Sequence, residues 1–479
     1  MIPMKRVGLL AGAATLTLSG GSFADTGLEA QNEELRARIS ELESRLGAVE
    51  AQSSDNWLTE QRAEEIKGLV QDVLADADTR SSLLSQGMTA GYDDGAVISS
   101  ADGNWMLRTN IFLQTRFMLT NANKTSAGNF VPDQNSIWGF EVTRAKFVMS
   151  GNVVSPDWFY KISVDIGTNL TTLAMEDGSF NGAARGGLQE GYIGYDYGNG
   201  WRVMLGAMKA PFMREELVDP WNQLGVERSL YNYVFTAGYT AGINIDWTGD
   251  PFRVMGMYHN GGQNVIYVNG ATGAAGGAGP ALVADTDIAF SARGEWLAMG
   301  TWDQFADMTS PQGEEQGLMV GVAFDFATPQ VPGSGADTLV MQLTADVSWE
   351  MGGANLFASV NWGKGDNTGV SGTSADADVT PWGMMVQGGY YFTEDWEGYL
   401  RWEYADLDQF DGAGADYGNI NILTAGVNKY FAGNNAKWMT DLGFAFDSVP
   451  VSSPITGWRA DINGGKSQMV FRSQLSILF

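Results

Sequence analysis

From Trp105 to the C-terminus, apolar residues recur at every second position in short runs separated by polar or glycine-rich stretches. In the first run Trp105, Leu107, Ile111, Leu113, Phe117 and Leu119 face one way, and Arg108, Asn110, Gln114 and Arg116 face the other. The split recurs with Tyr160, Ile162, Val164 and Ile166 against Lys161, Ser163 and Asp165, and with Leu318, Val320, Val322, Phe324 and Phe326 against Asp325. A period of two sends successive side chains to opposite faces of a strand, so the pattern predicts sheet with one apolar and one wet face. Sixteen segments can be placed, starting near 105, 139, 158, 187, 201, 238, 252, 286, 318, 338, 354, 382, 395, 418, 437 and 467. Their connections alternate in length. Those around Ser155-Pro156-Asp157, Gly198-Asn199-Gly200, Thr248-Gly249-Asp250, Thr393-Glu394-Asp395 and Gly433-Asn434-Asn435 are tight, whereas 120–138, 168–186, 210–237, 261–285, 364–381 and 448–465 are long. Short turns on one side and long loops on the other are the pattern of a transmembrane β-barrel. The connection at about 300–317 is longer than that scheme wants, and is where a strand would be misplaced.

Upstream of Trp105 the period changes. Leu28, Asn32, Leu35, Ile39, Leu42, Leu46 and Val49 alternate spacings of four and three, the seam of a coiled coil with Asn32 at an a position and Glu29, Arg36, Arg38, Glu43 and Arg45 at flanking sites. A single amphipathic helix docked on the barrel is the competing reading, but the apolar stripe is narrower than a docked helix needs. A second helical stretch, about Thr59 to Leu74, leads to a linker near Gly87 to Asn104. At the N-terminus Lys5 and Arg6 precede a 12-residue apolar stretch from Val7 to Leu18 and a small-residue site at Ser22-Phe23-Ala24, the layout of a cleaved secretory signal. That stretch is too short to span a bilayer, so insertion has to be by strands. The predicted fold is an all-β transmembrane barrel of about 16 antiparallel strands preceded by an α-helical coiled coil. Its divisions are a signal peptide at 1–24, a periplasmic coiled coil at 25–52, a helical segment and linker at 53–104 and the barrel at 105–479. The last strand, Phe471 to Phe479, ends the chain on an aromatic residue. This places the protein in the outer membrane of a Gram-negative-type bacterium, in contact with outer-membrane lipid, with the coiled coil in the periplasm.

Composition narrows the partners. Cys is absent, which excludes disulfides and thiolate metal sites. The formal charge of -28 and the lack of any basic run argue against nucleic acid. Sixteen Trp, 16 Tyr and 23 Phe suit the interface girdles of a barrel. One histidine, His259, cannot build a Ser/His nucleophile pair or a multi-His metal centre, so no enzyme, cofactor or metal is expected. The acidic cluster Asp406, Asp408 and Asp411 to Asp416 is either a solvated loop or a weak divalent-cation site.

The third long connection, Ala210 to Ala237, carries Arg214, Glu215, Glu216, Asp219, Glu227 and Arg228 with Trp221, Tyr231, Tyr233 and Phe235. A 16-stranded barrel encloses an aqueous channel, and a charged aromatic loop folded inward would narrow it. An ordinary loop lying over the rim fits the periodicity equally well.

At this loop the chain resembles a known family. Lys209-Ala210-Pro211-Phe212, Glu215-Glu216-Leu217 and Glu227-Arg228-Ser229-Leu230 are similar to the third-loop signature of the phosphate-selective porins of the O and P type. Arg144-Ala145-Lys146 before Pro156-Asp157-Trp158, and Leu188 to Tyr195, resemble two of its upstream strands. The resemblance implies a homotrimer of 16-stranded barrels, a third loop constricting each pore, and a terminal aromatic, Phe479, read by the barrel-assembly machinery as an assembly signal. Lys209, Arg214, Glu215, Glu216, Glu227, Arg228, Tyr231 and Tyr233 then become the expected constriction. The family's phosphate-binding rows of Arg and Lys do not align onto this chain.

Sorting strand residues by face puts Arg108, Arg116, Arg144, Lys146, Lys161 and Arg472 on the water side of strands that adjoin on closure, a basic wall tempered by Asp165. Asp325, Asp346, Glu350, Glu397 and Glu403, with Arg401, lie across the pore, so a transverse field is expected. Residues 105–479 carry 20 Lys plus Arg against 39 Asp plus Glu, which sits awkwardly with an anion pore. The function expected is passive diffusion of small hydrophilic solutes and ions, with phosphate or other anions as candidates. The alternative is a structural envelope protein whose coiled coil tethers the outer membrane to the cell wall.

Overall fold

The computed structural model describes residues 36–45, 67, 68, 70, 87–122, 136–167, 187–262, 286–329, 339–366, 380–407, 419–451, 453, 455–459 and 467–479. The chain divides into two units, 1–83 and 84–479. In the first, residues 36–45 are helical, with Ile39 and Leu42 exposed and Arg45 paired with Glu41 one turn back. The signal peptide and the rest of the heptad seam lie outside the described residues, as does the acidic cluster from Asp408 to Asp416.

The second unit opens with a hairpin, β1 (Met88–Tyr92) and β2 (Ala96–Ser100), and continues as sixteen antiparallel strands, β3 (Met106–Asn121) to β18 (Met469–Leu478). They pair in chain order, and β18 pairs back onto β3 from Met469↔Asn121 to Leu478↔Phe112, which closes the barrel. All sixteen predicted starts fall within three residues of an observed strand. The strands that follow β3 and matter below are β4 (Ser136–Val153), β5 (Ser155–Asp165), β6 (Gly187–Asp196), β7 (Trp201–Lys209), β8 (Tyr239–Thr248), β9 (Phe252–His259), β10 (Thr286–Met299), β11 (Gly317–Pro329) and β12 (Leu339–Glu350). Four more are β14 (Trp382–Thr393), β15 (Trp396–Asp406), β16 (Ile420–Tyr430) and β17 (Ala436–Ala445).

Closure explains the inverted burial pattern. Outward positions hold exposed Trp138, Phe140, Trp158, Trp201, Trp296, Trp349 and Phe392, many of them at strand ends where an aromatic belt sits, while inward positions hold buried polar side chains. Among the described residues no helix is long and apolar enough to cross a membrane. A bulge opposite Gln114/Thr115 shifts the phase of β4, so Glu141 and Arg144 both face inward although their spacing is odd.

Two expectations need correction. The stretch read as linker is the β1–β2 hairpin, and β2 pairs with the first residues of β3, Ala96↔Thr109 to Ser99↔Met106. It extends the edge of β3 just beyond Phe479, whose backbone exchanges hydrogen bonds with Ile111. Alternation is too short in these strands for sequence to announce them. The long connection at 300–316 conceals no strand. It holds a 3-10 turn, Gln304–Ala306, and folds into the barrel.

Candidate functional site

Residues 210–238, between β7 and β8, lie inside the barrel. Their apolar side chains Phe212, Leu224, Leu230, Tyr231, Val234 and Phe235 are fully buried in the main apolar cluster, and Val226 is buried as well. The segment forms a short helix, Arg214–Leu217, a 3-10 turn, Pro220–Asn222, and a second helix, Leu230–Phe235, whose Ser229 cap accepts a hydrogen bond from Asn232 N–H. Glu215 accepts from Ser229 N–H at 2.8 Å and from its hydroxyl at 2.5 Å, and Asn232 donates to Glu216 at 2.8 Å. Arg228 donates to the Glu215, Glu216 and Val218 carbonyls, so the segment carries its own internal frame.

The wall holds it by side chains from across the barrel. Arg144 makes a forked pair with Glu227 at 2.8 and 2.6 Å and also donates to Gln114. Arg401 donates to the Glu227 carbonyl, Lys437 to that of Gln223, Asn428 to that of Leu224, and Arg293 to that of Phe212. Glu403 accepts from Tyr231 N–H, and the Tyr231 hydroxyl meets Ser359. Lys437 stands at the start of β17, and Trp221 packs edge-on against Phe112 at 5.2 Å, so the segment descends nearly to the turn end of the barrel. There it meets residues 300–316. Arg214 donates to the Phe305 and Asp307 carbonyls, and Met308 N–H to that of Asn222. Asn434, in the turn between β16 and β17, donates to Asp307 at 2.8 Å. The long connection is therefore a strap under the descending segment.

Burial alone would raise the Glu227 carboxyl, but Arg144, with Arg116 and Arg228 behind it, pulls it down to about 2. Burial raises Glu215 against the pull of Arg401.

Sequence-predicted residues separate into two groups. Arg214, Glu215, Glu227 and Tyr231, expected to line a constriction, are buried in the frame just described. Glu216 and Arg228 pair with each other at 3.5 Å, and Tyr233 packs at the edge of the apolar cluster. The basic wall is not an open row either. Arg116 pairs with Glu141, Arg144 with Glu227, Arg472 with Asp441 through two bonds of 2.8 Å, and Arg108 with Asp93 of the hairpin. Four of the five opposing acids are spent likewise, while Glu350 keeps a buried carboxylate oxygen with no hydrogen-bond partner among the described residues. Asp346 is bound by Arg293, Glu403 by Arg401 and Tyr231, Glu397 by Tyr430 and Asn355, and Asp325 by Ser291. Residues of opposite charge meet through loops and neighbouring strands, which face sorting cannot see, so the transverse field largely cancels.

Lys146, Lys161 and Lys209 remain, from β4, β5 and β7. Lys161 pairs with Glu190 at 2.8 Å and Lys209 with Asp219 at 2.8 Å. Among the described residues no hydrogen bond or ion pair reaches Lys146. Nearer the turn end, Arg202 pairs with Asp246, and Arg253 with Glu295 while lying over the Trp302 ring at 4.3 Å. Sequence reading missed Glu190, Arg202, Arg253 and Arg293; inward parity on β6, β7, β9 and β10 was the signal that could have found them. At the turn end a cavity of about 360 Å³ is lined by Tyr92, Asp94, Arg108, Trp221, Asn222 and Asn435 among others. Among the described residues no cluster of His, Asp or Glu could hold a metal ion.

Solved structures similar to the chain include an anion-selective porin from Comamonas acidovorans, at 13% identity over 78% of this chain and 99% of that one, with a TM-score of 0.49. OmpT of Vibrio cholerae gives 11%, 78%, 98% and 0.45, and the outer-membrane channel DcaP of Acinetobacter baumannii 11%, 78%, 97% and 0.46. At these identities and scores the likeness adds nothing to the geometry above. No curated protein sequence matches the chain significantly. The sequence profile of the family described as phosphate-selective porin O and P matches residues 120–444, well over half of the chain. The chain therefore belongs to the phosphate-selective porin O and P family, outer-membrane channels rather than enzymes.

Proposed function

We propose that the protein is a passive channel for small anions, phosphate among them, and that solutes pass between residues 210–238 and the lysine-bearing strands β4, β5 and β7. The observation that carries this reading is the convergence of Lys146, Lys161 and Lys209 around Asp219 of the loop, while Asp325, Asp346, Glu397 and Glu403 are engaged in buried bonds. A net acidic barrel can pass anions if the charges left facing water are basic, because a low-dielectric channel focuses the field of the groups that line it. Residues 210–238 narrow the lumen, with Asp219 and Lys209 at the gap. The working unit is a homotrimer in outer-membrane lipid, delivered by a cleaved signal peptide and inserted by barrel-assembly machinery that reads Phe479. The deciding measurement is the reversal potential of the purified protein in a planar bilayer under a salt gradient. An anion-selective potential is expected; a cation-selective one overturns the anion reading, and absence of conductance overturns the channel reading.

A second role is compatible with the first. Ile39 and Leu42, on consecutive turns of the helical residues 36–45, are exposed in the single chain, which favours pairing of this stretch with its copies and a periplasmic tether to the cell wall. Deleting residues 25–52 should leave conductance intact and weaken envelope attachment; an unchanged envelope overturns the tether.

A further inference from the structure

Three lysines gathered around one loop carboxylate would create a problem for the channel proposed above. A site that binds a multiply charged anion well enough to admit it can hold it too long, and conduction requires that binding be weak enough for release. The cluster contains a built-in answer. Asp219 lies between the short helix Arg214–Leu217 and the 3-10 turn Pro220–Asn222, at the position where an aspartate side chain ordinarily accepts a helix N–H, yet it makes no such cap. Its carboxylate is turned to the lysines instead, 2.8 Å from Lys209 Nζ, which also donates to the Leu217 carbonyl. The side chain is 27% exposed, so a solute in the passage can reach it, unlike the Glu227 carboxylate.

We propose that Asp219 is a tethered counter-anion: it occupies the lysine cluster between transits, is exchanged for the permeant anion, and returns to expel it. The inference rests on the anion-channel reading and concerns what sets the affinity of that passage. Asp219, Glu190 and Asp165 are the carboxylates that act on Lys146, Lys161 and Lys209. Of the three acids only Asp219 comes from a loop. Asp165 is fixed by the Ala145 and Gly167 N–H groups and by Gln189, and Glu190 sits on β6 beside Lys161. Burial would raise the Asp219 carboxyl, but Lys209, Lys161 and Lys146 outweigh it and hold it well below the usual carboxylate range, so the counter-anion stays charged at any pH the outer membrane meets. A permanent charge whose side chain is free of any helix cap and partly exposed can swing away by rotation and compete with a mobile anion, which the bonded strand carboxylates cannot.

The test compares full-length wild type with Asp219→Asn, which keeps the shape and can still accept from Lys209. Both are measured for reversal potential in a chloride gradient and for block of chloride current by inorganic phosphate. Removing the charge should raise the anion-to-cation permeability ratio and lower the half-blocking phosphate concentration about tenfold, with longer blocked intervals. Asp219→Glu should behave as wild type. If Asp219→Asn fails to assemble, Asp219→Ser gives the same two readouts. Unchanged block in a charge-removing variant, or a shift toward cations, overturns the tethered counter-anion while leaving the anion channel standing. A cation-selective wild type overturns the anion channel itself.

Discussion

The latching arginines Arg116, Arg144, Arg293, Arg401 and Arg472 have side chains at most 6% exposed, while a second group in the lumen, Lys161, Arg253 and Arg202, is 20%, 28% and 42% exposed. All descend from the same inward positions of period-two strands. The difference lies in what each meets. A guanidinium presents a flat fork that matches a carboxylate through two bonds and tolerates desolvation, so the buried arginines find Glu141, Glu227, Asp346 and Asp441 and become latches for residues 210–238 and 455–459. Lys161 carries a compact, strongly hydrated charge on a flexible stem and stays where water can reach, as do Arg202 and Arg253, whereas Lys146 and Lys209 are largely buried. Counting charges along the lumen therefore misjudges a pore; the charges that select are those the fold leaves unlatched.

The largest effect should come from opening the principal latch. Arg144→Ala leaves the Glu227 carboxylate buried without its forked partner, a loss of roughly 3–5 kcal/mol for a broken buried pair. We expect a higher and noisier single-channel conductance together with a lower melting temperature. Arg144→Lys should recover only part of both, since one ammonium cannot reproduce the fork. Conductance and melting equal to wild type would mean that the latching arginines do not hold the loop.

A neighbouring latch can be attacked without touching a charge. Gly321 on β11 lies between Arg293 and Asp346, and a Cβ there would stand 2.2 Å from Arg293 Nη2 and 2.7 Å from Asp346 Oδ1. Gly321→Ala should displace the pair and with it the bond from Arg293 to the Phe212 carbonyl, at a cost of about 1–3 kcal/mol. Thermal melting reads this directly, and an unshifted transition would show that the site has slack. Gly457 is a second such contact: with φ +85° and a Cβ that would lie 2.5 Å from Met118 Sδ, it lets residues 455–459 approach β3.

How far the sequence anticipates this depends on the range of the interaction. Strand placement and closure are legible because alternation is local and repeats sixteen times. Which residues face inward is legible for the same reason, apart from the bulge that brings both Glu141 and Arg144 inside. Whether Glu215 faces water or Ser229, and whether Arg144 faces solute or Glu227, depends on partners 14 and 83 residues away in a loop with no period. The strap at 300–316 shows as an anomaly of length alone, since its inward fold rests on Arg214 and Asn222 of the descending segment and on Asn434 of a distant turn.

In the second group the expected effects are smaller in stability and visible in selectivity. Lys161→Gln removes a partly exposed charge from its pair with Glu190, a smaller disturbance than opening the two-bond Arg144 fork. Melting should barely move, while the reversal potential shifts toward cations. A loss of stability as large as that of Arg144→Ala, with selectivity unchanged, would erase the distinction between the two groups.

Acidity gives the finest contrast. Glu227 is held down to about 2, so its contribution to the latch is complete above the ordinary carboxylate value of about 4.3 and is lost only as pH falls through about 2. Asp307 in the strap behaves oppositely: burial raises it, so its protonated form favours the fold and the strap is stabilised as pH falls through that raised value. Between about pH 8 and about pH 5 the latch therefore stays shut while the strap, if it changes, tightens. Single-channel conductance should stay level or decline slightly over that range and rise only below about pH 3, where Glu227 begins to lose its charge. A conductance that steps upward near pH 5 would mean that an ordinary carboxylate, not the arginine-bound Glu227, holds the loop in place.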